Sequence, residues 1–223
     1  MYDALIVAGG SASRSGLSYN KVLYEINGKT ILDYAIRPFL DDTRCHSIIV
    51  VVKKSDYPII EKMLDCNKCR IVIGGTTRSE SVYNGVAYVK QDQVLIHDAA
   101  RPFINETMID NVLNGLRYFQ SVTCGVPVVD TLKRVEDGLM QTDINRDDLF
   151  HLQTPQGFLS DTLKKAHQFN VKTFNGLTCD ASLVKHTMNI SAKVVPGDRR
   201  NIKFTSMDDV KLLELILNDT HRV

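Results

Sequence analysis

The chain has 223 residues, of which 43% are hydrophobic, enough for one sizeable α/β core and cramped for two full domains. Lys and Arg total 27 against 26 Asp and Glu, a net charge of +1, so the broad basic footprint of a nucleic-acid binder is absent and any anion binding must be local. No basic segment precedes the first apolar strand, apolar runs such as 48–52 are far too short to span a bilayer, and five irregularly spaced cysteines do not make a secreted disulfide framework. The expectation is a cytoplasmic protein with reduced thiols and neither a membrane nor a nucleic-acid partner.

The first predicted element is the strand Ala4-Leu5-Ile6-Val7-Ala8, which runs into Gly9-Gly10-Ser11-Ala12-Ser13-Arg14-Ser15-Gly16, with Lys21 shortly after. Small residues let backbone N–H groups approach an anion closely, and Arg14 and Lys21 place cations beside it, as a polyphosphate requires. Neither Gly-x-Gly-x-x-Gly nor a Walker-type Gly-Lys-Ser/Thr follows the strand, which argues against a plain dinucleotide site. An ordinary Gly-rich turn with a solvated Arg suits the same residues, so later segments must decide.

A β-branched run at 47–52 predicts the next strand, followed by a helix at about 56–64 and a strand at 70–73. Cys66-x-x-Cys69 between them has the spacing of a zinc or redox pair. No second pair or nearby His-x-x-x-His completes four ligands, so it reads as a packed connection. After the strand, Gly74-Gly75-Thr76-Thr77-Arg78-Ser79-Glu80-Ser81 opens a predicted helix through Val82, Val86 and Val89. Ser81 there can hydrogen-bond a base edge while Arg78 braces the loop; a capped helix start accounts for both almost as well.

The strand at 93–96 leads into Ile96-His97-Asp98-Ala99-Ala100-Arg101-Pro102-Phe103. Asp98, at a strand's carboxyl end, can orient a Mg²⁺ ion or a substrate hydroxyl, and Arg101 can hold that carboxylate or face phosphate. The alternative is a structural Asp–Arg pair at a strand exit. His97 reads as a packed or hydrogen-bonded histidine rather than a base. Asn105 then caps a helix whose Met108, Ile109, Val112, Leu113 and Leu116 form one apolar stripe, which is core.

Strands at 122–129 and 193–195 continue the βαβ rhythm of a mainly parallel, two-sided sheet, whose ligands belong at strand ends. Residues 130–150 break that rhythm. Asp130 through Gly138 suggest a strand and an Asp-Gly turn, with a polar return through Asn145-Arg146-Asp147, a projecting β-arm. A final helix opens at Ser206-x-x-Asp209 and presents Val210, Leu213 and Leu217 on one face.

Taken in order, these segments resemble the 2-C-methyl-D-erythritol 4-phosphate cytidylyltransferases of the non-mevalonate isoprenoid pathway. The resemblance covers nearly the whole chain. It runs through Ala8-Gly9-Gly10 to Arg14, Asn20-Lys21, Gly74-Gly75-x-x-Arg78-x-x-Ser81-Val82, His97 to Pro102, Val126-Pro127-Val128-x-Asp130-Thr131-x-Lys133-Arg134, Gln153-Thr154-Pro155-Gln156, Asp180 to Val184 and Asn201-Ile202-Lys203-x-Thr205. The fold expected is α/β, a Rossmann-like, mainly parallel twisted sheet flanked by helices, with residues 1–223 forming a single nucleotidyltransferase domain.

The resemblance implies that Arg14 and Lys21 stabilise the reacting phosphates of CTP, and that Gly75 and Ser81, with backbone near Ala8, Gly9 and Gly10, recognise cytosine, supported by Arg78. It implies that Asp98, Thr154, Thr178 and Lys203, with Arg101 nearby, bind methylerythritol phosphate. Thr131 and Arg146 would come from the β-arm of a partner subunit, making a homodimer with shared sites. Mg²⁺ or another divalent cation is implied, held by Asp98 or through the CTP phosphates. The chain departs from the family pattern at Gly9, Val22 and Cys179, the last on the substrate-side wall. A ribitol 5-phosphate cytidylyltransferase is the nearest alternative within this chemistry, and a non-catalytic CTP sensor or scaffold the alternative outside it.

Overall fold

The computed structural model describes residues 1–10, 16–169, 177 and 179–220. Strand β1 (Tyr2–Val7) starts the sheet, and a two-residue hairpin, β2 (Glu25–Ile26) and β3 (Lys29–Thr30), precedes helix α1 (Ile31–Asp41). Thr30 starts that helix as a capping box: its hydroxyl accepts from Asp33 N at 3.1 Å while Asp33 Oδ2 accepts from Thr30 N at 2.8 Å. Then follow β4 (Cys45–Val52), α2 (Tyr57–Met63), β5 (Cys69–Ile73), α3 (Arg78–Val86), β6 (Gln93–Asp98) and α4 (Glu106–Gly115). The second half contains β7 (Ser121–Pro127), β8 (Leu132–Glu136), β9 (Leu139–Ile144), β10 (Phe150–Leu159), α5 (Ser160–Gln168), α6 (Asp180–Met188), β11 (Lys193–Pro196) and α7 (Val210–Thr220).

Seven strands make one sheet in the order β11-β7-β10-β6-β1-β4-β5. Strands β5, β4, β1 and β6 are mutually parallel, and β10 runs antiparallel between β6 and β7. Alternation along β4 explains the two layers. Ile48, Val50 and Val52 face the core built with Leu32, Ile36 and Phe39 of α1 and Met108 and Val112 of α4. Ile49 and Val51 face the opposite core, with Val82 of α3, Leu163 of α5 and Val184 of α6. A third cluster joins Ile26, Ile31 and Phe204 to Val210, Leu213 and Leu217 of α7, so the expected apolar face of the last helix is buried. Asp209 Oδ2 accepts from Ser206 N at 3.0 Å at its start.

The expected strands are present, but some differ in extent, and β10 and the short β2–β3 hairpin were not anticipated. The strand expected at 122–129 ends at Pro127. Strand β10 was not anticipated, because Gln153, Thr154, Pro155 and Gly157 carry no β-branched alternation and a proline ordinarily demotes a central strand. Pairing of β10 with β7 is interrupted between Leu152 and Gln156, so the missing N–H of Pro155 breaks no ladder bond there.

The segment at 130–150 holds a hairpin shorter than the range expected. β8 and β9 form their own two-stranded sheet, closed by Asp137 and Gly138, whose φ values of 52° and 78° suit an Asp-Gly turn. Every residue of β9 is exposed. Cys66 and Cys69 lie in a turn closed by Cys69 N donating to Cys66 O at 2.9 Å, as a packed connection should be. No cluster of three metal-ligating side chains and no helix long and apolar enough to cross a membrane occurs among the described residues.

Candidate active site

Strand order reverses at β1: the chain builds outward through β4 to β5, then returns to place β6 on the other side of β1. In open α/β sheets the loops at such a reversal diverge and leave a crevice at the strands' carboxyl ends. A cavity of about 500 Å³ lies there. Its wall takes Gly9 and Gly10 from the exit of β1, Lys53 from β4, Gly75 to Arg78 from β5, Asp98 and Ala100 from β6, with Lys21, Ser81 and Lys203.

The Gly75 turn is shaped by its lack of side chains. A Cβ on Gly75 would stand 2.3 Å from Glu80 Cβ, closer than any real contact, because Glu80 folds back to accept from Thr76 N at 2.7 Å. Thr77 caps α3 by accepting from Glu80 N at 3.1 Å. Ser81 Oγ donates to Thr77 O at 2.8 Å and accepts from Gly75 N at 3.2 Å. Its only proton is therefore committed, and the hydroxyl faces the cavity with acceptor capacity to spare.

The opposite wall is an alternating array of charges. Lys203 Nζ donates to Asp98 Oδ2 at 2.6 Å, Arg78 Nε donates to Asp98 Oδ1 at 3.2 Å, and Arg78 Nη1 donates to Asp180 Oδ2 at 2.7 Å. Burial opposes ionisation of Asp98, but the charges of Arg78 and Lys203 outweigh it and hold the carboxyl well below its ordinary value. Burial likewise works against the Arg78 cation, and Asp180 and Asp98 reverse this, keeping it charged. Both carboxylate oxygens of Asp98 thus have cationic partners, a donor set that leaves it unsuited as a metal ligand while those pairs hold.

Lys21 is 6% exposed, at the start of a 3-10 turn capped by Asn20, whose amide donates to Ala8 O at 2.7 Å and Asp56 Oδ2 at 2.8 Å. Its ammonium stands 5.9 Å from the centre of the Phe204 ring. The third cluster of the core thereby fixes where this charge enters the cavity.

Several expected site residues support the crevice rather than line it. Ala8 donates its N–H to Val51 O at 2.8 Å and its carbonyl accepts from Asn20, so the exposed backbone begins at Gly9. Arg101 does not touch the Asp98 carboxylate; its guanidinium donates to Asn201 O at 2.8 Å and Leu152 O at 3.4 Å, tying the Lys203 loop to β10. Arg101 is not among the residues lining this cavity and ties together the segments behind its wall.

Thr154 lies behind the wall too, its hydroxyl accepting from Asp98 N at 3.1 Å. His97 Nε2 lies 2.9 Å from Arg101 O, which can only accept, so Nε2 carries the proton and Nδ1 accepts from the Thr154 hydroxyl at 3.0 Å. Burial pushes His97 down to about 4, so it is neutral and packed, as the sequence suggested. Thr131 and Arg146 line no part of this cavity in their own chain; Arg146 donates to Val129 O at the base of the hairpin. Arg14 and Thr178 lie outside the described residues.

Lys53, Thr76 and Thr77 line the cavity and were not singled out. Lys53 had a usable signal, since it directly follows the β-branched run 47–52 at a strand's carboxyl end. Asp180 belonged to a recognised segment, but its pairing with Arg78, 102 positions away, had none.

Residues 2–219 match the profile of the family described as 2-C-methyl-D-erythritol 4-phosphate cytidylyltransferase. Proteins of that name from Bacillus mycoides and Clostridium botulinum are each 35% identical to this chain over 98% of its length, covering 98% and 100% of their own. Among solved structures, 4-diphosphocytidyl-2C-methyl-D-erythritol synthase from Anaerococcus prevotii is similar with a TM-score of 0.85 and 28% identity, over 97% of this chain and 95% of that one. The cytidylyltransferase structure from Thermus thermophilus gives 0.83 and 26%, over 96% and 98%.

Proposed function

Because this chain belongs to the 2-C-methyl-D-erythritol 4-phosphate cytidylyltransferase family, we propose how its own residues divide the family's reaction between them. The activity is cytidylyl transfer in the non-mevalonate isoprenoid pathway. CTP and methylerythritol phosphate give 4-diphosphocytidyl-2-C-methyl-D-erythritol and pyrophosphate. An oxygen of the acceptor's phosphate forms a bond to the α-phosphorus as the bond from that phosphorus to the bridging oxygen of the β-phosphate breaks. A phosphate monoester is already anionic, so the protein has no proton to remove; its tasks are alignment and charge stabilisation.

Cytosine sits against the Gly75 to Ser81 turn. With its proton committed to Thr77 O, the Ser81 hydroxyl offers a lone pair to cytosine's amino group and repels uracil's carbonyl. Gly9 and Gly10 admit the triphosphate to backbone N–H groups, Lys21 and Arg14 stabilise charge on the α-phosphate, and Lys203 with Asp98 orients the acceptor. A divalent cation would arrive on the phosphates of CTP and neutralise their charge there, because the carboxylate lining this wall, Asp98, is engaged by Arg78 and Lys203.

The whole chain acts as one nucleotidyltransferase domain, and its hairpin serves as a dimerisation arm. Val135 and Met140, cross-strand partners on one face of the hairpin, are 59% and 66% exposed, and Leu139 on the other face is 68% exposed, apolar area that favours cover by a second subunit. Thr131 and Arg146 would then enter the partner's crevice.

The observation that carries this reading is the convergence of Lys21, Lys203 and the Gly75 to Ser81 turn on one crevice at the sheet's switch point. Its test is pyrophosphate release from CTP and Mg²⁺ with methylerythritol phosphate or ribitol 5-phosphate in parallel. Release with the first acceptor is expected; release only with the second reassigns the substrate, and release with neither leaves a CTP-binding protein.

A further inference from the structure

A second cavity, of about 840 Å³, lies at the β5 edge of the sheet and shares helix α3 with the nucleotide crevice but no lining residue. Val72 and Val86, which share one face of the sheet, give it an apolar floor, Tyr83 and Tyr88 stand at its walls, and Ile71 and Ile73 border it from the other face of the edge strand. The guanidinium of Arg70 stacks on Tyr88 at 5.0 Å, leaving that wall electropositive.

His167, from α5, lines the same cavity and is 2% exposed, yet neither ring nitrogen has a hydrogen-bond partner among the described residues. Buried polar atoms are ordinarily bonded, and a neutral imidazole carries one donor and one acceptor. Burial and the nearby Arg78 charge hold this imidazole neutral against the pull of Asp180. The charged side chain on the lining is Lys164, which donates to Val89 O at 3.0 Å and keeps two further donors. Among the described residues no carboxylate lies on the lining to neutralise it.

We infer that this cavity is a binding site for a small planar aromatic acid, its ring between the tyrosines over the apolar floor, its carboxylate at Lys164, and a polar edge bonded to His167. The volume suits a ligand of drug-like size. The proposal does not rest on the nucleotide reading: among the described residues none lines both cavities, although Arg78 of the crevice lies near His167.

The probes are 2-naphthoate and its neutral analogue 2-naphthamide, titrated by calorimetry and by ¹⁵N spectra of the histidine rings, with CTP at saturation. Binding at one site is expected, with a shift of the His167 nitrogens and a preference for the acid of about fivefold or more. His167→Phe, which keeps the bulk and removes both nitrogens, should weaken binding about tenfold. Lys164→Met should abolish the preference for the acid while leaving turnover within about twofold, which also serves if His167→Phe fails to fold. Displacement of the probe by CTP, equal affinity for acid and amide, or unchanged affinity in both variants overturns the assignment. So does sedimentation showing that Ile73→Glu breaks an oligomer, which would make this face an interface between copies.

Discussion

Lys203 Nζ lies 2.6 Å from Asp98 Oδ2, although 105 positions separate the two in the chain. With Arg78 on the other carboxylate oxygen, this contact decides what Asp98 can do. It is a compensated anion that positions a cation, rather than a free carboxylate waiting for a metal. Among the described residues the cavity lining carries Lys21, Lys53, Arg78 and Lys203 against the carboxylate of Asp98.

Removing Arg78 should be costly, because it leaves Asp180 buried and unpaired. Arg78→Met is expected to lower unfolding free energy by about 3 kcal/mol, the low end for such pairs because part of the Arg78 side chain reaches solvent. Adding Asp180→Asn should recover part of that loss. Urea denaturation of the two single variants and the double measures the coupling; strictly additive losses would show that the pair contributes no interaction energy.

The pH dependence of stability should carry a signature of His97. Its folded pKa of about 4 lies below the ordinary value near 6.5, so between these values the unfolded chain binds a proton that the folded one refuses. Stability therefore falls as pH falls through this window, by about 3 kcal/mol from this group, and the folded state begins to take up the proton only near pH 4. His97→Gln should flatten that limb of the curve. An unchanged slope in denaturation series between pH 6.5 and 4 would remove the assignment.

Gly75→Ala should act on nucleotide binding through sterics alone. The new Cβ would overlap Glu80 Cβ at 2.3 Å, forcing the turn off the Ser81 hydroxyl. The KM for CTP is expected to rise about tenfold, with a smaller change in kcat, as for lost ground-state binding. Steady-state kinetics with normal CTP affinity in a folded variant would place cytosine elsewhere.

Lys21→Ala should lower turnover about 100-fold or more, the scale of losing one preorganised group that stabilises transition-state charge. Lys21→Met, which retains the stem against Phe204, separates charge from packing and should be equally slow. Near-normal turnover in either folded variant rules out the electrostatic role.

Sharing of sites between subunits can be read by complementation. Arg146→Ala and Lys21→Ala subunits are each expected to be inactive, and mixing them in equal amounts gives about half mixed dimers with one intact site in two. Recovery of about a quarter of wild-type activity is the upper expectation. With subunit exchange verified by mass spectrometry, no recovery would mean that the hairpin serves only its own chain.

Local chemistry was legible in the sequence wherever one segment contains its own explanation. The β-branched run at 47–52 alternates between two cores whichever partners it meets, and the Asp137-Gly138 turn closes a hairpin by its backbone preference alone. The glycine-rich segments after β1 and β5 lie together on one cavity, because parallel strands present their carboxyl ends together. Strand β10 was hidden for the converse reason. Its stability comes from neighbours on both sides, so Pro155 and Gly157 are tolerated where propensity alone forbids them.

The sequence thus determined most of the parallel strands and the small residues and cations that follow them, since these depend on composition within a few positions. Only the tertiary structure decided which charges meet. It gave Asp98 to Lys203 and Arg78, turned Arg101 onto carbonyl oxygens, and brought Asp180 to Arg78. Pairing of charges depends on distance through space, and burial makes each unpaired alternative expensive, so partners remote in the chain are selected by the fold as a whole.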